Sequence, residues 1–149
     1  MVQAIPEGYH SITPYLAVHD ARGAIEFYKQ AFGATELFRM EDGDRVGHAE
    51  LQIGSSRIML ADEHPEIGAR GPRAYGGSPV QLMLYVENVD EVVQRAEAAG
   101  AKITRPVSTQ FYGDRNGGLE DPYGHTWFVA THVEDVSPEE MERRMKEQH

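Results

Sequence analysis

The sequence predicts an α+β protein of two βαβββ modules, and two observations carry that expectation. The first is a repeat. An apolar run at residues 12–18 leads through a helically striped segment to Gly33-Ala34, and an apolar run at residues 80–86 leads through a second striped segment to Gly100-Ala101. A unit of this length present only twice points to a duplicated supersecondary element, not a solenoid. The second is that each striped segment is followed by short, turn-separated runs of strand character. At 149 residues, 40% of them hydrophobic, the chain suits one domain with its own core.

Taken in order, residues 12–18 alternate and read as a strand. Asp20 is a suitable N-cap, and Ala24, Ile25, Tyr28, Ala31 and Phe32 recur at helical spacing until Gly33 stops the helix. Residues 34–40 read as a strand, Asp42-Gly43-Asp44 as a turn, and residues 46–53 as an alternating strand. There Ala49, Leu51 and Ile53 share one face, and His48, Glu50 and Gln52 the other. Residues 57–61 complete module one, about residues 9–63. Residues 64–78, rich in proline, glycine and charge, read as a surface linker. Module two, about residues 79–133, repeats the order. After its first strand come a stripe of Val89, Val92, Val93, Ala96 and Ala99, a strand from 102 to 108, a glycine-rich stretch at 111–119 holding a short strand, the turn Asp121-Pro122-Tyr123-Gly124, and a strand from 125 to 132. Ser137-Pro138-Glu139-Glu140 sets N-cap, N1 proline and capping-box glutamate, so a charged helix is expected over 137–147.

Composition narrows the function. A net charge of −10 argues against nucleic-acid binding, which needs a basic face, and suits a cationic small-molecule partner if any charge preference exists. No apolar stretch approaches the roughly 18 residues of a membrane span, and the first residues show no leader pattern. The chain has no cysteine, so disulfides, thiolate metal sites and thiol nucleophiles are excluded; a cytoplasmic location is expected.

Three segments carry a resemblance: Pro14-Tyr15-Leu16-Ala17-Val18; Ala24-Ile25-Glu26-Phe27-Tyr28-Lys29-Gln30-Ala31-Phe32-Gly33-Ala34; and Leu119-Glu120-Asp121-Pro122-Tyr123-Gly124-His125. In their order and spacing the chain resembles the vicinal oxygen chelate superfamily, which includes glyoxalase I, bleomycin-resistance proteins and extradiol dioxygenases. His48-Ala49-Glu50-Leu51, with Tyr112-Gly113-Asp114-Arg115 running into Glu120, resembles its PhnB-like branch. The resemblance implies curved mixed sheets around an inter-module cleft, a homodimer, and in many members one divalent ion held by His, Glu or Gln from the first and last strands of each module. Aligned on the motifs and on the internal repeat, those four positions are Thr13, Met59, Gln81 and Phe128. Phenylalanine offers no donor, a thioether is soft, and threonine with glutamine is weak for a hard ion, so no metal or other cofactor is expected there.

The sites follow. Thr13, Tyr15, Met59, Gln81, Met83, Tyr85 and Phe128 would line a mostly apolar cleft for a small organic ligand, or simply fill core; Arg115 would anchor an anionic group, or form a structural pair with Asp114. His48 and Glu50 are the candidate catalytic pair, as acid and base, as part of an altered metal shell that includes Gln81, or as a surface pair. Asp62 and His132 could join such a site, His125 has the parity of Trp127 and should face away, and His10, His19 and His149 have no evident partner. The leading expectation is a small-molecule binding protein acting by sequestration; the alternative is a metal-dependent isomerase, lyase or dioxygenase.

Overall fold

The computed structural model describes residues 2–148; His149 lies outside them. Module one runs β1 (Tyr15–Val18), α1 (Ala21–Phe32), β2 (Thr35–Asp42), β3 (Arg45–Ile53) and β4 (Ser56–Asp62). Module two runs β5 (Gln81–Tyr85), α2 (Val89–Ala98), β6 (Lys102–Thr109), β7 (Asp114–Glu120) and β8 (Thr126–His132), and α3 (Pro138–Glu147) closes the chain. The two sheets have the same order, β1-β4-β3-β2 and β5-β8-β7-β6. In each, the first strand lies parallel to the last and the other neighbours are antiparallel. The predicted α+β duplication is the observed fold.

Local chemistry explains the boundaries. Asp20 caps α1 by accepting from the Gly23 amide, and Gly33 ends it at φ 69°, a left-handed conformation that costs glycine little. Asn88 and Ser137 cap α2 and α3 in the same way. β1 begins three residues later than the apolar run suggests. Pro14 has no N–H for a ladder, although its carbonyl accepts from the Met59 amide at 2.9 Å. The linker is more ordered than its composition implies: it holds two short 3-10 turns, Pro65–Ile67 and Pro72–Tyr75, and a bridge between His64 and Ala69.

α1 and α2 each cover one face of their own module's sheet. Leu16, Val18, Ala49, Leu51, Ile53, Ile58 and Leu60 are buried on the covered face of module one. The modules meet chiefly through α1 against α2, and α1 also carries aromatic side chains onto module two: Phe32 and Tyr28 lie 4.7 and 5.5 Å from Trp127, centroid to centroid. Burying rings of this size stabilises by roughly 2–3 kcal/mol each. Asp121, only 2% exposed, fixes this seam. It accepts from Tyr28 Oη at 2.5 Å, Trp127 Nε1 at 2.9 Å, the Tyr123 amide at 2.9 Å and the His125 amide at 3.0 Å. A buried carboxylate is tolerable when its lone pairs are filled in this way. Burial first, and the Asp121 charge second, push the Tyr28 hydroxyl well above the usual range, so it remains a donor.

Candidate functional site

Among the described residues no helix covers the opposite face of either sheet. Strand alternation sets its residues, and cross-strand register aligns them in rows. In module one Tyr15 lies beside Met59, Met59 beside Glu50, and Glu50 beside Phe38, one row across all four strands. In module two the matching row is Met83, Phe128, Gly118 and Arg105. The second row is close-packed: a Cβ on Gly118 would meet Thr104 Oγ1 at 2.9 Å, and Arg105 lies 5.6 Å from the Phe128 ring centroid. These open faces are amphipathic, with Tyr15, Phe38, Met40, Met83 and Tyr85 all exposed.

A hydrogen-bonded chain crosses module one. Tyr15 Oη lies 2.7 Å from His48 Nδ1, His48 Nε2 lies 2.8 Å from Glu50 Oε2, and Tyr9 Oη donates to Glu50 Oε1. The Tyr9 hydroxyl first, and His48 second, hold the Glu50 carboxyl below the usual carboxylate range. An ionised carboxylate only accepts, so Nε2 of His48 carries a proton, and in the neutral ring Nδ1 is left to accept from Tyr15. Burial, then the charge of Glu50, raises the Tyr15 hydroxyl and keeps it protonated.

Module two has its own chain on the same kind of face. Tyr85 Oη donates to Asp114 Oδ2 at 2.8 Å, and the His132 ring spans two carboxylates, Nδ1 to Asp114 Oδ1 and Nε2 to Asp135 Oδ1, each at 2.8 Å. Hydrogen bonding to Asp114 first and Asp135 second raises His132, and both nitrogens act as donors. Asp114 is 6% exposed. Each network closes within one module.

The expected residues fall as follows. Tyr15 and Met59 lie on the open face of module one with His48 and Glu50, and Gln81, Met83, Tyr85 and Phe128 lie on that of module two with His132. Thr13 precedes β1 and, with Tyr9, Met83 and Trp127, lines an apolar cavity of about 160 Å³ at the module seam. Arg115 is elsewhere. Strand parity turns it to the helix side, where its guanidinium pairs with both oxygens of Asp90 at 2.8 and 2.9 Å. Its expected partner Asp114 faces the other way, because adjacent strand residues point to opposite faces. Asp62 is structural, accepting from the amides of Ala21 and Val46 at 2.7 Å each. His125 Nε2 lies 3.1 Å from the Ala17 carbonyl oxygen, at the seam. Sequence reasoning missed Tyr9, Asp135 and Phe38. Only Phe38 carried a signal, its parity along β2.

The donor set does not fit the divalent ion that the resemblance implies. Met59 and Phe128 hold the mid-face positions, and among the described residues no three of His, Asp and Glu converge as ligands. Gln81 stands on a different sheet from His48 and Glu50.

A family model described as the glyoxalase/bleomycin resistance protein/dioxygenase superfamily matches residues 8–129. An uncharacterised protein of Mycobacterium bovis is 39% identical over 142 residues, covering 93% of each chain. The crystal structure of TioX from Micromonospora sp. ML1 is similar at 27% identity and a TM-score of 0.67, covering 83% of this chain and 99% of that one. The fosfomycin resistance protein FosX of Listeria monocytogenes shares the fold at 17% identity, with a TM-score of 0.65 over 89% of this chain and 97% of that one. By its matched model and this near-full-length likeness, the chain belongs to the glyoxalase/bleomycin resistance protein/dioxygenase superfamily.

Proposed function

We propose that the protein binds a small organic molecule on its open sheet faces without the divalent ion that many relatives of this fold use, and that sequestration follows from such binding. The observation that carries this reading is the replacement of the four ligand positions by Thr13, Met59, Gln81 and Phe128, with Met59 and Phe128 set among Tyr15, Phe38 and Met83. A surface of rings and thioethers with a few fixed polar groups suits an aromatic or aliphatic organic ligand. Glu50, with the net charge of −10, favours a cationic one. The exposed apolar side chains on both faces support a second copy of the chain as the cover, so that the cleft forms in a homodimer. A cytoplasmic setting and the PhnB-like branch belong to the same reading; they rest on the absence of cysteine and on the segments around His48 and Asp114.

The test uses the purified chain, metal analysis and titration with the flat aromatic cation proflavine, followed by fluorescence. Binding that persists in chelator and weakens about tenfold or more in Tyr15→Ala is expected, a loss of at least roughly 1.4 kcal/mol. One tight divalent ion per chain or per dimer, or binding abolished by chelator, overturns the reading.

A further inference from the structure

We propose that Tyr15, His48 and Glu50 form a metal-free proton relay on the open face of module one. Tyr15 is the catalytic group that touches the bound molecule, His48 the base behind it, and Glu50 the residue that positions His48. The substrate class is a weak organic acid, a molecule that loses a proton from O–H, N–H or a carbonyl-activated C–H. The proposal rests on the reading that this face takes an organic molecule, and goes beyond it by assigning chemistry.

The geometry supplies the three contacts such a relay needs: a hydroxyl 2.7 Å from Nδ1, Nε2 2.8 Å from a carboxylate, and that carboxylate fastened by Tyr9. Tyr15 projects from β1 and His48 and Glu50 from β3, on either side of β4, so sheet register sets the spacing of these three, and Tyr9 reaches Glu50 from the segment before β1. Tyr15 is 53% exposed and its hydroxyl lies 2.7 Å from His48 Nδ1, so the residue is open to a ligand while its proton is directed to the imidazole. The step balances without a co-reactant. The substrate X–H bond breaks and its electron pair stays on X. The released proton passes to the Tyr15 oxygen as the Tyr15 proton passes to His48 Nδ1. Glu50 then faces an imidazolium. Return of the proton at another atom of the same substrate completes an isomerisation and restores the relay.

Tyr85 is an internal control. It is similarly exposed, at 58%, but its hydroxyl donates to Asp114, a carboxylate intrinsically less basic than imidazole and already paired with His132, whose two nitrogens are both engaged.

The experiment is labelling of the full chain with an aryl sulfonyl fluoride, read by peptide mass spectrometry. The phenol oxygen attacks sulfur, fluoride leaves, and the phenol proton passes to the base. Base assistance is worth on the order of 10²-fold or more, so Tyr15 is expected to react at least about 10-fold faster than Tyr85. His48→Gln should remove that advantage and Glu50→Gln should reduce it, while Glu50→Asp restores part of it. Nitrogen NMR should show His48 protonated at Nε2 in the native chain, with the tautomer preference lost in Glu50→Gln. Thermal unfolding of each variant reports that it remains folded. Equal labelling of the two tyrosines, or a Tyr15 rate unchanged by His48→Gln, overturns the relay. Proflavine binding separates the two readings: retained in His48→Gln while labelling falls, it upholds both, and absent from the native chain while Tyr15 still outpaces Tyr85, it sinks the binding reading alone.

Discussion

The two open faces carry the same three kinds of group in opposite order. In module one the imidazole stands between tyrosine and carboxylate; in module two the carboxylate, Asp114, stands between tyrosine and imidazole. The order decides what the proton can do. A histidine backed by one carboxylate keeps a nitrogen free to accept, so the tyrosine proton has somewhere to go. A histidine flanked by Asp114 and Asp135 donates from both nitrogens and becomes one half of an ion pair. The clusters do not descend from one another position by position. In the register of each final strand pair, His48 corresponds to Asn116 and Glu50 to Gly118, so the duplicated fold holds two independent solutions built from one side-chain vocabulary.

Both faces depend on the frame between them, and the largest effect should come from breaking it. Asp121→Ala leaves Tyr28 and Trp127 with buried unpaired donors, and we expect a loss of about 3–5 kcal/mol in chemical denaturation. The two clusters should fail together, seen as coincident loss of tyrosine and tryptophan signals. A smaller, one-sided effect comes from Asp114→Asn. Its buried carboxylate serves Tyr85 and His132, so about 1–3 kcal/mol should be lost while Tyr15 labelling stays at the native rate. If Tyr15 slows as well, the faces are coupled and the contrast between them is too sharp.

How much of this was legible follows from the range of each interaction. The repeat, the Asp20 and Ser137 caps and the shared parity of His48 and Glu50 are local, and periodicity carries them. The His48–Glu50 contact needs only a spacing of two on a strand. The Tyr85–Asp114–His132 cluster needs β5 and β7 placed on either side of β8, and no local pattern encodes that register. Tyr9 reaches Glu50 across 41 positions, from a segment without regular structure. Asp121 read as a turn residue, and its sequence context gave no sign that it ties α1 to module two. Parity was also the point at which Arg115 and Asp114 parted: read as loop neighbours they pair, but as strand neighbours they cannot.

The contrast between the two histidines can be sharpened with pH. His132 is raised in the folded chain, so its contribution to stability is fully present below the unfolded histidine value of about 6.5 and fades as pH rises through its higher folded value. Melting temperatures of the native chain and His132→Gln should therefore converge as pH rises above the unfolded histidine value of about 6.5. Glu50 works the other way: its depressed value gives a contribution that is present above the unfolded carboxylate range and lost as pH falls through the folded one. The advantage of the native chain over Glu50→Gln should shrink only on strong acidification. A His132→Gln difference that grows with pH would remove the ion-pair account of module two.

The smallest effect expected is from Arg115→Ala, and it tests which face is the working one. The guanidinium holds Asp90 in the first turn of α2 and touches Thr109 Oγ1, on the side of the sheet that α2 covers. Both members of the pair are partly exposed, with side chains 36% and 48% accessible, and pairs of this kind contribute little in water. In β7 the register puts Arg115 beside Thr131 and Asp114 beside His132, so the two neighbours in sequence serve opposite faces. Removing the arginine should leave the melting temperature within scatter and proflavine affinity unchanged. A loss of affinity would mean that the ligand enters from the helix side, and the division of labour between the two open faces would then have to be rebuilt around α2.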